Sequence, residues 1–450
     1  MTSRADTHQS RSAFVSALRQ EDLLSPFVSR DPVCERVGLE LEKFGVFENG
    51  LSLPVTGPRS IRSILERLEK DRHWKAERDG DSIIALRRSG QVISVEPGGQ
   101  LELSTPPACL IDEACRAEQD HLNELQQISG GWGVTWCGAG VRPYDTLDSI
   151  GWIPKRRYMV MRDHMAKTGK LAHWMMKMTA SLQVSVDYVS EPDAALKLNV
   201  LARLTPVLTA ICAASPVALG KRTGYASYRA HIWTKTDPAR CGLPDCFFKP
   251  DFKFDDYVKY AMGVPLFFIE RQGRVIPTGR LTFADFMREG YRDNEATLDD
   301  WNRHLTFLFP EIRLKSYIEI RSCDRQPGTR SFATAALIKS LIYSKATLQQ
   351  ANKWLEAVTA AQAREGLLEA AKYGLQGKYA GRPLRAWADE ALALGKSGLA
   401  FLKVSERASD MESLWMSDLN SEIRGKRPST TDAILKAFDA KEPLARVVRL

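Results

Sequence analysis

Four segments far apart in the chain alternate apolar and polar side chains with period two, and their polar positions are mostly carboxylates and carboxamides. In residues 34–47 (CERVGLELEKFGVF), Val37, Leu39 and Leu41 share one face while Gly38, Glu40 and Glu42 take the other. In residues 180–188 (ASLQVSVDY), Leu182, Val184 and Val186 oppose Ser181, Gln183, Ser185 and Asp187. In residues 312–323 (IRLKSYIEIRSC), read as one late strand, Ile318 and Ile320 oppose Lys315, Tyr317, Glu319 and Arg321. The fourth segment is residues 94–104 (SVEPGGQLELS), where two short β-type runs flank a Pro-Gly-Gly turn. There Gln100, Glu102 and Ser104 share a face, and Glu96 sits at the turn's edge, where glycine lets backbone approach a ligand. Taken alone, a solvated loop is the simpler reading of that hairpin. Recurrence changes it.

An antiparallel sheet packed on helices has one wet face, so polar alternation by itself is ordinary. Generic wet faces mix Lys, Glu and Thr, whereas these positions are mainly carboxylates and carboxamides, with arginine joining late. Carboxylates that converge on one concave face repel each other unless cations bridge them. Hard oxygen ligands suit Mg²⁺, which binds carboxylates together with substrate phosphates. The pattern points to nucleotide-triphosphate chemistry without a P-loop, since no GxxxxGK[ST] occurs.

Composition excludes several classes. At 450 residues the chain can bury a large core, and its 44% hydrophobic and 26% charged content is ordinary for a globular protein. The net charge of +8 (63 Lys and Arg against 55 Asp and Glu) is a mild excess with no aromatic-interleaved basic cluster, so no nucleic-acid partner is expected. Eight scattered cysteines form no disulfide framework. Cys241 and Cys246 lack the second pair a zinc site needs. No apolar run approaches the roughly 20 residues of a membrane span, and residues 1–30 lack a signal-peptide core. Free thiols and these absences lead to a cytoplasmic expectation.

Helices are expected over residues 12–24, 60–70, 106–129, 191–214 and most of 331–404. Residues 74–88 read as a hairpin around Gly80 and residues 154–165 as a polar, cationic connection. The expected divisions are a flexible segment with a first helix (1–24), a catalytic part (25–330), a helical part packed on it (331–424) and a C-terminal extension (425–450). The class is α+β with a mainly antiparallel sheet.

The residues also carry a resemblance. VGLELEKFG (37–45), EPGGQLELS (96–104), PKRRYMVMRDHM (154–165), SLQVSVDY (181–188), SPVALGKRTGYASYRAHIWTKTD (215–237), RLKSYIEIRSCD (313–324) and RAWADEALALGKSGL (385–399) occur in the order of the plant and proteobacterial glutamate–cysteine ligases, which the chain resembles. The resemblance implies a glutamine-synthetase-like fold, a curved antiparallel sheet whose concave face holds ATP and Mg²⁺. The implied reaction activates the γ-carboxylate of glutamate as an acyl phosphate, which the amino group of cysteine attacks. It also implies metal ligands at Glu40, Glu42, Glu96, Glu102 and Glu319, and catalytic roles for Arg229 and Arg321; Lys43, a point charge suited to phosphate, is expected to join them. Gln183 matches the family's site glutamine and is expected to contact ATP, as are Arg162, at the nucleotide mouth, and Tyr317; substrate contacts are expected at Arg229, Trp233 and Tyr158. A bidentate arginine fork suits a carboxylate or phosphate.

Three departures stand out, the first expected to change packing only and the other two bearing on substrate. The family's IGTEHEKFG carries Leu39 and Leu41 here, on the apolar face. Its VQVNLD has Ser185 in place of Asn, and its RGADG becomes Arg321-Ser322-Cys323-Asp324-Arg325, adding bulk and charge beside the expected site. A different amine acceptor is therefore a second reading, and a catalytically silent binding homologue a third. Cys115 falls where plant enzymes have a regulatory cysteine, but its partner region near Ala333 has none, so no such disulfide switch is expected.

Blander roles stand beside these. Lys43 reads equally as a strand-end lysine, and Arg156, Arg157 and Arg162 as surface charges. His231 reads as a structural histidine, Trp233 as core or lid, Asp187 as a strand-end carboxylate, and the methionines of 159–178 as packing. Oligomeric state stays open.

Overall fold

The computed structural model describes residues 18–28 and 35–450. At its centre is the eleven-residue strand β1 (Val37–Phe47). The rest of the nine-stranded sheet is β2 (Lys75–Asp79), β3 (Ser82–Arg88), β4 (Gln91–Val95), β5 (Leu101–Ser104), β6 (Val134–Cys137), β7 (Ser181–Val186), β8 (Ile312–Leu314) and β9 (Ile318–Asp324). The order is β8-β9-β7-β1-β5-β4-β3-β2, with β6 paired to the C-terminal end of β1. All its pairings are antiparallel, and the sheet stays open at β8 and β2.

Registry turns the alternation of single strands into rows. Leu39 lies opposite Val184, and Val184 opposite Ile320; Val37 lies opposite Val186, and Val186 opposite Ile318. This apolar face is sealed by the helices Glu191–Ile211 and Arg330–Tyr343 in one continuous core, which also takes in the helix Leu384–Val404. Leu39, Leu41, Val184 and Ile320 are buried there, each contributing roughly 1.5–3 kcal/mol by leaving water. The opposite, polar face is left for the site. The α+β expectation, with helices on an antiparallel sheet and a helical C-terminal region, is borne out.

Helices α1 (Ile61–Arg72), capped by Ser60, and α2 (Ile111–Ser129) cover the β3–β5 end of the sheet. Helices α3 (Arg156–Thr168) and α4 (Ala172–Met178) stand over its polar face, α5 (Glu191–Ile211) lies in the core, and α6 (Tyr228–Thr234) is capped by Ser227.

Several expectations change. The connection expected at 154–165 is helix α3; its buried residues Tyr158, Met161 and Met165 already follow helical spacing, masked by the surrounding charge. The single strand expected at 312–323 is a hairpin, in which the backbone N–H of Lys315 donates to Tyr317 O at 2.8 Å. Lys315 and Tyr317 therefore sit on a turn and not on a strand face. Of the expected first helix, residues 12–17 lie outside the described residues, and Gln20–Phe27 is a 3₁₀ helix anchored by Leu23 and Phe27. Helix α5 is long and apolar enough to cross a membrane, against the sequence-based expectation of no such run, but 83% of its most apolar stretch is buried inside the fold. At the other end of the chain, Gly138 N donates to Val448 O at 2.8 Å and Leu450 N to Trp136 O at 3.0 Å, so the last residues lie along β6.

Candidate active site

On the polar face, β1 presents Glu40 and Glu42. Registry places Glu102 of β5 directly opposite Glu42, and Gln183 of β7 opposite Glu40. The β4–β5 turn brings Glu96 and Gln100 to the same cavity. Its shape depends on glycine: Gly99 has φ +82°, and a Cβ on Gly98 would lie 2.5 Å from the Lys177 carbonyl. Gln100 locks the turn, donating to Thr179 O (2.8 Å) and Met176 O (3.3 Å) while accepting from Gly98 N (3.1 Å). Above this floor, Arg157, Tyr158 and Met161 of α3, Met175 and Met176 of α4, and Arg229 and Trp233 of α6 enclose a cavity of about 240 Å³. Arg313, Arg321 and Phe309 close its far end.

Glu40, Glu42, Glu96 and Glu102 share the cavity with four arginines, but none of the four carboxylates has a direct ion-pair partner among the described residues. Glu42 accepts from Ser181 N (2.7 Å) and Ser181 Oγ (3.0 Å), yet burial and then the neighbouring Glu96 push its carboxyl up to about 7 against the pull of Arg229. Glu102, held by the Ser94 hydroxyl at 2.6 Å, is raised well above the carboxylate range by burial and by Glu40, Glu96 and Glu42. Glu40 is raised by burial and by Glu319. Glu319 is the exception. Burial alone would raise it, but Arg313 (2.6 Å), Lys315 (3.0 Å) and Arg321 (2.9 Å) outweigh burial and hold it well below the usual range. Buried oxygen donors that repel one another fit a hard divalent cation. Among the described residues, however, no three acidic, histidine or cysteine side chains already form a ligand cluster.

The cationic side has spare donors. Arg229 donates one N–H to Arg321 O (2.8 Å) and stands 3.9 Å from Asp324, while its Nε and the Nε1 of Trp233 are buried without hydrogen-bond partners among the described residues. Asp324 accepts from Ala214 N, Ser215 Oγ and Ser227 Oγ (2.7–2.9 Å), which ties β9 to the start of α6 and sets Arg229 in place. Arg321 donates to the Gln183 carboxamide.

Glu40, Glu42, Glu96, Glu102, Gln183, Arg229, Arg321, Tyr158 and Trp233 thus line one cavity. Others do not. Lys43 is on the opposite face, as its parity with Leu39 and Leu41 demands, fully buried and paired to Glu118 at 3.1 Å. Arg162 turns to Asp163 (2.8 Å) outside the cavity. Tyr317 sits on the β8–β9 turn, its hydroxyl accepting from Lys315 Nζ, and Glu319 lies behind its three cations.

The segment 323–325 is not bulk beside the site. A register shift between Ile320 and Cys323 reverses parity, so Cys323 enters the core and Arg325 pairs with Glu118 (2.7 Å) behind the sheet. Arg157 and Arg313 were not singled out from the sequence for this cavity. Arg157 had a signal in its place beside Tyr158 on a helical period. Arg313 had none, because only the hairpin sets it opposite Glu319. His231 stacks on Tyr225 at 4.1 Å, and Asp187 accepts from Arg36 N at 3.0 Å, both structural roles.

The architecture has solved counterparts. A glutamate–cysteine ligase from Francisella tularensis in complex with AMP superposes with a TM-score of 0.58 over 92% of this chain and 86% of that one, at 15% identity. A bifunctional glutathione synthetase from Pasteurella multocida gives 0.52 over 95% and 52%, at 13% identity. At such identities the likeness shows the fold, which is that of the glutamate–cysteine ligases.

Sequence then places the chain within that class. Residues 36–417 match glutamate-cysteine ligase family 2 (GCS2), and the protein belongs to this family. The chloroplastic glutamate–cysteine ligase of Nicotiana tabacum is 34% identical over 430 residues, covering 94% of this chain and 80% of its own length. The chloroplastic enzyme A of Oryza sativa subsp. indica is 36% identical over 387 residues, covering 85% and 78%. These plant relatives are chloroplastic by name, which overturns the cytoplasmic expectation drawn from free thiols and the lack of a signal core.

Proposed function

We propose that this protein is an ATP-dependent γ-glutamyl ligase that joins glutamate to the amino group of cysteine through γ-glutamyl phosphate, releasing ADP and phosphate. The observation that carries the reading is one cavity in which Glu40, Glu42 and Glu102 crowd together with raised proton affinity, facing Arg229 and Arg321. Family membership and the names of the relatives support it. Glu40, Glu42, Glu96 and Glu102 would hold Mg²⁺, with Glu319 behind them. Bound there, Mg²⁺ would supply neutralisation of the phosphate charge.

The chain's own groups do the rest. The unpartnered Nε of Arg229 and Nε1 of Trp233 receive a substrate carboxylate. Arg321, steadied by Gln183, and Arg313 present positive charge to the transferring phosphoryl group. Tyr158 packs against the reactants through its ring, since its hydroxyl is spent on Val95 O at 2.9 Å. The helices α3, α4 and α6 exclude water from the acyl phosphate and hold the reactants in line.

A different amine acceptor loses the observation that motivated it. Cys323 and Arg325 point away from the cavity, and Ser185 does not line it. The test is phosphate release with glutamate, ATP, Mg²⁺ and a panel of amines, with the product identified by mass. Release with cysteine alone supports the assignment. Release with another amine and not with cysteine overturns the acceptor, and no release with any amine overturns the ligase reading.

A further inference from the structure

A second cavity, of about 640 Å³, opens on another face of α3. Arg157, Tyr158 and Met161 look into the acidic cavity, whereas Val160, His164 and Lys167 look into this one. Its walls are largely apolar, from Val160, Pro265, Phe267 and Pro277. Both of its acids are already engaged: Asp237 by Arg240 at 2.6 Å, and Asp163 by Arg162 at 2.8 Å. Arg240 in turn lies 4.0 Å over the Phe267 ring, and His164 meets that ring edge-on at 4.7 Å. Two cations at the rim, Lys167 and Arg280, are exposed and have no ion-pair or hydrogen-bond partner among the described residues. An apolar chamber with spare positive charge at its mouth selects an apolar body bearing an anion.

The chamber touches the acidic cavity by two routes. Phe267 stands edge-on to Phe307, which lines that cavity, at 5.3 Å. The end of α3 is also fastened to the end of α6, the helix of Arg229 and Trp233. Leu171 N donates to Lys235 O at 3.1 Å, and a Cβ on Gly169 would fall 1.6 Å from Thr236 O. We propose that this chamber binds a small molecule with an aromatic body and one anionic group, and that its occupancy changes substrate affinity through α3 and the Phe267–Phe307 contact. The binding half stands on the chamber itself; the coupling half rests on the ligase reading above.

The test uses 8-anilinonaphthalene-1-sulfonate, an aromatic sulfonate that fluoresces in apolar surroundings, titrated into the full chain with and without saturating ATP, Mg²⁺ and glutamate. One equivalent binds. Val160→Trp, which projects an indole into the chamber from α3, weakens that binding at least tenfold, and so does the double variant Lys167→Glu/Arg280→Glu. The double variant alters only exposed side chains, so lost folding does not explain its result. Equal binding in the wild type and both variants, or displacement by ATP alike in all three, overturns the chamber as the site. Coupling between binding equilibria is reciprocal, so saturating glutamate, ATP and Mg²⁺ shift the probe's Kd at least twofold in the wild type, the factor by which a filled chamber changes substrate affinity. A probe Kd that is the same with and without these substrates overturns the coupling. Fluorescence needs no turnover, so a chain that releases no phosphate still reports on the chamber.

Discussion

Glu42 and Lys43 are adjacent in the chain and belong to opposite kinds of charged cluster. In front of the sheet, Glu42 joins Glu40, Glu96 and Glu102, and burial, then neighbouring carboxylates, push the carboxyls of Glu40, Glu42 and Glu102 up. Behind it, Lys43, Glu118 and Arg325 are equally buried, but each charge has an opposite partner within 3.1 Å. A buried charge that is paired serves structure, and one left unpaired costs stability that a ligand can recover. The front cluster therefore reads as a binding site and the rear cluster as a clamp between β1, α2 and the end of β9.

Breaking the rear cluster has the largest expected effect. Glu118→Gln strands Lys43 and Arg325 as buried cations and lowers unfolding free energy by about 3–5 kcal/mol. Urea denaturation measures it, while turnover per folded molecule stays within about twofold. A loss near zero would make the rear pairs ornamental and dissolve the contrast. Glu42→Gln does the reverse: turnover falls on the order of 10²–10³-fold, with the thermal midpoint unchanged or raised because a repulsion is removed. Steady-state kinetics and a melting curve on one preparation separate the two.

The clusters also differ with pH. The carboxyl of Glu42 rises from 4.5 to about 7 on folding, so between those values the folded state holds more protons than the unfolded one. Stability of the metal-free protein then falls as pH climbs from about 4.5 towards 7. Glu40 and Glu102 act in the same direction. Melting temperatures measured in a chelator should show that decline, Glu42→Gln should flatten it, and Mg²⁺ should stabilise more at pH 8 than at pH 6. A flat profile in the wild type would mean that the front charges are compensated. The smallest effect sharpens the boundary of the site: Arg157→Ala raises a substrate KM about tenfold, the size of one lost charged hydrogen bond, while Arg162→Ala leaves it within about twofold. Equal effects would return Arg162 to the cavity.

Much of this was legible beforehand. Strand parity alone placed Glu40, Glu42, Glu102 and Gln183 on one face, because successive side chains on any strand must point oppositely. The same parity sets Lys43 with the leucines, against the phosphate contact expected of it, and the structure follows parity. Helix α3 was hidden, since its apolar stripe of Tyr158, Met161 and Met165 is thin among charged residues. The split of 312–323 into two strands was hidden too, because the turn at Lys315–Tyr317 contains no glycine, proline or asparagine to mark it.

The sequence by itself therefore determined which side chains share a face, the strong turn at Gly98–Gly99, and family membership, all local or linear properties of the chain. Tertiary structure alone decided that Glu40 of β1 and Arg321 of β9 meet across one cavity. It decided that the register shift after Ile320 sends Cys323 and Arg325 to the far side, and that Arg313 stands beside Glu319. Those outcomes depend on strand order and on pairing between distant segments, which no short-range pattern encodes.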